Sequence, residues 1–507
     1  MTSSEAKVAR GGLFLLLGNS ATIPIGILAL AFVARVISLE EMGIVVAFDI
    51  IIRFLKTFSD PGISDALTTY CAEGIGGGYN VGPFIRKLLL VGVVIVSAAS
   101  LGLFFFGRLV SPLVLGKVLS SDLIAVASGD VLLACLAPYF DGAMLGLKHF
   151  KSMSLIEITG YATKQLASVA LLLAGFGVTG ILLGWILGDG LYLVGSVFVI
   201  LRGSRGAVSA RTFNVDIKEL LRFTGPAYGS RLVTFVSGSF DRLFALAALS
   251  ADQLAVYGVA VSIFGFVSAV PGIASSTLVP YFVESRVKET PDVLRARIGA
   301  VARYFALFLA PVFTGLAAIS GPSILLVVGQ KYAGGGILLA VLCSFYALTA
   351  PLSWIDRLYY ALKRTDVYVL ILILESAAGI LLSLVLATQL GILGLALARG
   401  LTFLISLTLG VLGMRKVLPI RVDISSLARI LLCSFGMAAF VYSIQRLFHS
   451  LEFLPLYVVL GAAIYFLLAR LMHLVRKRDF EMGREIVGRR FRHVLDFLEK
   501  LAPPSFP

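Results

Sequence analysis

Asp49, Arg53, Lys56 and Asp60 lie within one apolar stretch at spacings i, i+4, i+7 and i+11. At about 100° per residue those positions form a single stripe along an α-helix. Glu157, Tyr161, Lys164 and Ser168 repeat the spacing, and Arg231, Thr234, Gly238 and Asp241 lie on a similar face. Asp189, Glu375 and Arg399 are isolated charges in further apolar stretches. A charge at mid-bilayer costs roughly 2.5–3.5 kcal/mol even on insertion-based scales, so such residues face protein or water. The chemistry they offer is electrostatic. Arg53, Lys56, Lys164, Arg231 and Arg399 are candidates to hold an anionic group in a hydrated central cavity, Arg by its bidentate fork and Lys as a point charge. Asp49, Asp60 and Asp241 are candidates to hold a cation or to pair with those bases. Asp49 with Arg53, and Asp60 with Lys56, have the i, i+4 spacing of helix ion pairs, so a helix-tying role stands beside the cavity reading. Arg35, Arg242, Asp356 and Arg357 lie nearer the ends of apolar stretches, where long side chains snorkel. Pro24 and Pro226, the latter after Gly225, fall at similar depths of corresponding stretches and are candidate hinges.

Covalent and metal chemistry find no support. Cys71, Cys135, Cys343 and Cys433 are far apart, without a C-x-x-C or Cys/His cluster. His149, His449, His473 and His493 lie near span ends or in the tail, away from any mid-membrane proton relay. The Gly-rich run Gly74–Gly78 lacks the lysine of a phosphate loop, and no nucleophile motif occurs. No catalytic residue, metal or cofactor is expected.

The elements that position the charged stripes follow from composition. Of 507 residues, 58% are hydrophobic and 14% charged, against about 25% charged in soluble domains. A chain this apolar exceeds what one soluble core can absorb, and its apolar runs have the helix length that a hydrocarbon layer of about 30 Å demands. Roughly fourteen runs can be placed, at 11–36, 43–66, 88–110, 123–147, 153–176, 179–201, 222–248, 254–284, 300–328, 335–362, 367–389, 391–414, 427–448 and 453–475. The first is expected to be a retained span, since no A-x-A-like cleavage site follows it.

The net charge of +14 resides in short loops and in the tail, a distribution that sets topology and does not favour nucleic acid. Lys7, Arg10, Arg86, Lys87, Lys148, Lys151, Arg202, Arg205, Arg286, Lys288, Lys363, Arg364, Arg415 and Lys416 fall on one side. Only Arg108, Lys117, Lys331 and Arg446 populate the other. The positive-inside rule then predicts both termini in the cytoplasm of a multi-pass plasma-membrane protein. In the tail, Phe480, Val487, Phe491, Val494 and Leu498 recur at helical spacing opposite Arg484, Arg489, Arg490 and Arg492. That pattern predicts an amphipathic helix, lying on the anionic inner leaflet or docked on cytoplasmic loops.

An internal repeat organises the spans. Pro61-Gly62-Ile63 recurs as Pro271-Gly272-Ile273, Leu147-Lys148 as Leu362-Lys363, and the Gly177-Val178-Thr179-Gly180 run as Gly391-Ile392-Leu393-Gly394, all offset by about 210–215 residues. The predicted division is a six-helix lobe at 1–201, a linker at 202–221, a second six-helix lobe at 222–414, two further helices at 415–475, and the tail at 476–507. An even number of spans per repeat gives both copies the same orientation, as in transporters whose site lies between parallel halves.

The stretch Ala34-Arg35-Val36-Ile37-Ser38-Leu39-Glu40-Glu41-Met42-Gly43 resembles the end of the first span in polysaccharide and O-antigen flippases. Asp241-Arg242-Leu243 followed by Tyr257, and Gly329-Gln330-Lys331-Tyr332-Ala333, are similar to later segments of that family. The resemblance, over about residues 8–420, implies the multidrug/oligosaccharidyl-lipid/polysaccharide (MOP) flippase superfamily and its V-shaped pair of six-helix bundles. It implies a cargo, an oligosaccharide on a polyprenyl phosphate or pyrophosphate, turned over by alternating access for surface polysaccharide assembly. It also implies membrane lipids, a glycan polymerase or glycosyltransferases as partners, and Na+ or H+ as a candidate coupling ion. Ala29 and Leu30 stand where lipid II flippases of the superfamily carry an Arg-Asp pair, which argues against lipid II as cargo. Two alternatives remain open: a cation-coupled multidrug antiporter using Asp49 or Asp60, and a non-transporting polytopic membrane protein.

Overall fold

The computed structural model describes residues 21–115, 118–204, 212–276, 278–418, 423–448 and 451–474. The helices in chain order are α1 (Ala21–Val36), α2 (Leu39–Phe58), α3 (Ile63–Gly76), α4 (Gly82–Leu115), α5 (Ser121–Gly146), α6 (Phe150–Leu171), α7 (Gly177–Ser204), α8 (Ile217–Ala248) and α9 (Ala251–Ser276). They continue with α10 (Leu278–Lys288), α11 (Pro291–Ala318), α12 (Ser320–Val327), α13 (Gly335–Thr349), α14 (Ile355–Ala361), α15 (Thr365–Val417), α16 (Ile424–Phe448) and α17 (Leu454–Leu471). Among the described residues the one extended pairing is an isolated bridge between Asn80 and Thr212. The chain is an all-α, multi-pass membrane protein. The predicted amphipathic helix at 476–507, Lys7, Arg10 and the linker arginines Arg205 and Arg211 lie outside the described residues.

Nine of the described helices are long and apolar enough to cross a membrane, so the fourteen crossings expected from sequence are not established by that measure. Three physical reasons separate the counts. The stretches Phe150–Arg202 and Thr365–Arg415, 53 and 51 residues long, would each reach about 75 Å as one straight helix, more than twice a hydrocarbon core. Each is broken at glycine: Gly175 has φ 90°, Gly177 has φ 56° and ψ −140°, and Gly391 has φ 58° and ψ −133°. The helices α2 and α8 carry the charged stripes and are too polar for the criterion. Finally, only the last 16 residues of the first apolar run are described, as α1.

The repeat is visible in the backbone. At Leu147-Lys148-His149 the amides donate in turn to the carbonyls of Ala143, Leu145 and Met144. At Leu362-Lys363-Arg364 they donate to Leu358, Tyr360 and Tyr359, the same register. Lys148 and Lys363 have φ 59° and 57°, so both copies end a helix with the same left-handed turn. Gly177 and Gly391 likewise share one conformation. The Pro-Gly pair has diverged: Gly62, at φ 82°, caps α3, whereas Pro271-Gly272 runs within α9.

The chain divides into two compact units, one comprising Met1–Val270, Val327–Tyr332 and Leu372–Leu395, the other Pro271–Leu326, Ala333–Ile371 and Ala396–Pro507. In the first, small residues let helices approach closely, as membrane packing requires. A Cβ on Gly43 would lie 2.1 Å from the Ala251 carbonyl oxygen, drawing α2 onto α9, and one on Gly142 would lie 2.2 Å from that of Ser64, drawing α5 onto α3. Along α6 and α7, a Cβ on Gly184 would lie 2.3 Å from the Ser168 nitrogen and one on Gly188 2.6 Å from the Lys164 Cα. Ser38 caps α2 in a capping box, its Oγ accepting from the Glu41 amide at 3.2 Å while its own amide donates to Glu41 Oε2 at 2.8 Å. Lys331 Nζ donates to the carbonyls of Arg35 at 3.1 Å and Ile37 at 2.9 Å, a cation placed on the C-terminal end of α1. Leu109, Val94 and Phe105 of α4 are 72%, 69% and 68% exposed, a surface only lipid covers at low cost.

The second unit packs around Trp354, Phe282 and Tyr359. Its helices α16 and α17 are fastened to α11: Thr314 Oγ1 donates to the Ser434 carbonyl at 3.1 Å, Tyr465 Oη to the Leu307 carbonyl at 3.0 Å, and Arg303 Nη2 to the Leu474 carbonyl at 2.6 Å.

The two glycine breaks occupy a backbone region that costs a side-chain-bearing residue about 1–3 kcal/mol. Gly177→Ala and Gly391→Ala are each expected to lower the thermal unfolding midpoint in detergent. Gly102→Ala, at a helical position with nothing within 4 Å of its Cβ, should leave the midpoint unchanged or raise it.

Candidate functional site

The charged stripes of α2 and α6 meet within the first unit. They line a cavity of about 570 Å³, within the usual range for small-molecule sites. Its wall runs from Ala29, Leu30 and Val33 of α1 to Leu254, Tyr257 and Phe266 of α9. Its polar side is built from Asp49, Arg53, Lys56, Glu157, Lys164 and Asp189. A second cavity of about 490 Å³ shares Arg53, Lys56, Asp141 and Arg242 with the first and adds Asp65 and Arg231. The shared residues make the two spaces neighbours along one charged wall.

Each cation is held differently. Arg53 Nε donates to Asp49 Oδ2 at 2.8 Å, the i, i+4 pair that the spacing allowed. Its side chain is nonetheless 59% exposed, so donors remain turned to the cavity. Lys56, one turn further along α2, makes no ion pair or hydrogen bond among the described residues, although the carboxylates of Asp141 and Glu157 are near enough to act on it. Lys164 Nζ donates to Asp189 Oδ2 at 2.9 Å and lies 4.8 Å from the centre of the Trp185 ring. That contact depends on Gly188, whose missing side chain lets the Lys164 backbone approach α7. Tyr192 Oη donates to Asp141 Oδ1 and so ties α7 to α5, both residues lining the cavity.

Arg231 lines the second cavity but is engaged throughout. Its Nη1 donates to Asp60 Oδ2, and its Nη2 to Ser64 Oγ at 2.8 Å and Asp65 Oδ2 at 2.5 Å. Asp60 is fully buried and therefore pairs with Arg231, not with Lys56 as the helical spacing also allowed. Asp241 is buried on α8 and accepts from Tyr257 Oη at 2.6 Å. Arg399 belongs to the second unit, its guanidinium 5.3 Å from the Phe403 ring centre. Pro24 and Pro226 are exposed, and the helices α1 and α8 continue through them. The structure thus gathers Asp49, Arg53, Lys56 and Lys164 at one cavity, with Arg231 beside it, and places Asp60, Asp241 and Arg399 elsewhere.

Sequence reasoning gave little weight to Asp141, Trp185, Tyr192 and Arg242, which also line the cavity, and it passed over Asp130. Asp130 is wholly buried on α5, and neither of its oxygens meets a hydrogen-bond donor among the described residues. The signal was present, a lone carboxylate in an apolar run, but its companions lie on other helices, where periodicity does not reach.

A family model described as "Polysaccharide biosynthesis protein" matches residues 32–334. The chain belongs to that family. This is the family that its sequence motifs resemble. Solved structures show the fold of this polysaccharide biosynthesis protein. It is similar to the lipid II flippase MurJ in an inward closed conformation, with TM-score 0.71 and 16% identity over 91% of this chain and 99% of that one. An inward-facing multidrug resistance MATE family transporter of the MOP superfamily gives TM-score 0.66 at 14% identity, covering 81% and 96% of the two chains. A MOP superfamily transporter from Pyrococcus furiosus, described as having a binding pocket of reversed polarity, gives 0.53 at 12% over 83% and 96%. No curated protein matches the sequence.

Removing Arg231 leaves Asp60 buried without its cation, a change that costs about 3–5 kcal/mol. Arg231→Ala is expected to reduce folded, monodisperse protein sharply in detergent chromatography. Pairing Arg231→Met with Asp60→Asn should recover most of it, and failure to recover would show that the ion pair is not what holds α8 to the α2–α3 junction.

Proposed function

We propose that this polysaccharide biosynthesis protein is a flippase for an oligosaccharide carried on a polyprenyl phosphate or pyrophosphate. The observation that supports this best is the cavity of the first unit, where Arg53, Lys56 and Lys164 line one space of about 570 Å³ in a multi-pass membrane protein of this family. A lipid-linked sugar needs a polar chamber for its head and a cation for its phosphate, while its prenyl tail stays in lipid. Lys56 is the leading anchor, since its ammonium can receive a phosphate without first giving up a partner. Arg53 offers a bidentate fork from its free edge, and Lys164 would join after release from Asp189. The carboxylates Asp49, Asp141 and Glu157 hold the chamber near electroneutrality when empty, so that an anion is not trapped. Arg231, committed to Asp60 and Asp65, serves as a structural clamp beside that chamber.

Transport would follow alternating access, with Pro24 and Pro226 as candidate bending points and both termini on the cytoplasmic side of the plasma membrane. The lobes at 1–201 and 222–414 would act as the moving halves. Ala29 and Leu30 make the α1 wall of the cavity apolar where lipid II flippases of the superfamily carry an Arg-Asp pair, which supports a cargo other than lipid II. The likeness to MATE transporters supports a second reading, a cation-coupled multidrug antiporter.

Complementation distinguishes the two. Expressed in a flippase-deficient strain with matching glycan donors, the protein is expected to restore surface polysaccharide and to leave ethidium efflux unchanged. Alanine at Lys56 or Arg53 should lower surface glycan at least tenfold with normal membrane abundance. Efflux without glycan rescue would favour the antiporter, and full rescue by both alanine variants would remove these residues from the site.

A further inference from the structure

Internal pairing consumes most of the charge on the wall of the first cavity. Asp49 accepts from Arg53 at 2.8 Å, Asp189 from Lys164 at 2.9 Å, and Asp141 from Tyr192 Oη. Arg242 is not free either. Two charged side chains on that wall remain, Lys56 on α2 and Glu157 on α6, and neither makes an ion pair or a hydrogen bond among the described residues. The packing of α6 explains why Glu157 stays at the cavity. A Cβ on Gly160 would lie 3.1 Å from the Tyr192 Cβ and 3.2 Å from the Gly188 carbonyl oxygen, and one on Gly195 would lie 3.1 Å from the Ile156 side chain. The helix is thus seated on α7 through Ile156 and Gly160, and the stripe of Glu157, Tyr161 and Lys164 lines the open space beside that contact. An ionisable residue within a membrane span is costly and persists where it has a partner or a task. Glu157 ties no helices together, so its task lies in the cavity.

A carboxylate only accepts hydrogen bonds, with lone pairs for about four of them. It repels a phosphate and suits a group rich in donors, such as adjacent hydroxyls on a sugar ring. Tyr161 and Trp185 line the same cavity and offer flat faces to the C–H side of such a ring. We propose that Glu157 is the specificity residue for the cargo head: it accepts hydrogen bonds from the hydroxyls of a neutral sugar while Lys56 holds the phosphate. A uronic acid in that position would set one carboxylate against another, and Lys56, engaged by the phosphate, could not neutralise the second. Unpaired like charge is how a site rejects the wrong partner, and a carboxylate left without the donors it was built to meet penalises a head that lacks them. This inference rests on the flippase reading and adds to it the class of sugar that the cavity selects.

The test is equilibrium binding of short prenyl phosphodiesters to the purified full-length protein in detergent at neutral pH. The probes are glucosyl and galactosyl geranyl phosphate, their glucuronosyl and galacturonosyl counterparts, and methyl geranyl phosphate as the sugar-free control. In the wild type at least one neutral glycosyl probe is expected to bind about tenfold or more tighter than both its uronosyl counterpart and the methyl control. In Glu157→Gln the neutral and uronosyl probes should bind nearly alike, while the methyl control keeps its wild-type affinity and so reports an intact fold. Lys56→Met should weaken every probe, the methyl control included, by a similar factor. Equal binding of neutral and uronosyl probes by the wild type overturns the proposal, and so does a preference that survives Glu157→Gln. Those two results, obtained with a methyl control that binds, leave the flippase reading standing. A wild type that binds none of the probes counts against the flippase reading and takes this inference with it.

Discussion

Asp60 is shut away from water at the turn between α2 and α3, and Arg231 crosses from α8 to reach it together with Ser64 and Asp65. Desolvating a carboxylate costs several kcal/mol, and a well-placed guanidinium with further hydrogen bonds offsets most of that. The consequence is positional. Once α8 is fixed against the α2–α3 junction, Arg242, three turns further along, comes to the wall that Arg53 and Lys56 supply from α2. The same rule sorts the other charges. Those that find a protein partner, such as Asp241 with Tyr257, become joints between helices. Those that do not, such as Lys56, need a water-filled space, and the cavity is where they have it.

The all-α membrane fold was legible because hydrophobic run length is imposed by the bilayer and not by tertiary contacts. The α2 stripe was equally legible, since four charges at helical spacing in an apolar run share a face wherever the helix is placed. Whether two of them would pair was not. Asp49 took its i, i+4 neighbour, while Asp60 ignored Lys56 for a residue 171 positions away, a choice made by packing that no local pattern encodes. Lys164 with Asp189 was hidden for a related reason. Their meeting requires Gly188 to admit the α6 backbone, and a glycine in a membrane helix has many other uses. The count of crossings was blurred by glycines too, because helix pairs joined at one residue merge into a single apolar stretch.

The repeat has kept its backbone and altered its chemistry. The turns at Lys148 and Lys363 match hydrogen bond for hydrogen bond. Just before them, Asp141 accepts from a tyrosine of another helix, whereas Asp356 lies against its own neighbour Arg357 at 3.3 Å. The duplicated scaffold thus turns a carboxylate across the bundle in one copy and neutralises it locally in the other. The second unit adds α16 and α17 on α11, giving it an apolar flank that owes nothing to the repeat.

The glycine breaks carry a consequence for how the chain enters the membrane. The α6–α7 hairpin, whose bend is made by the positive-φ glycines Gly175 and Gly177, has almost no hydrophilic loop to drag through the hydrocarbon, and its two arms are in direct contact. Such a pair is suited to partition from the translocon as one object, arms already in contact through Gly184 and Gly188. The ion pair between Lys164 and Asp189 lies within that same hairpin, so inserting it as a unit spares the cost of exposing either charge alone to lipid.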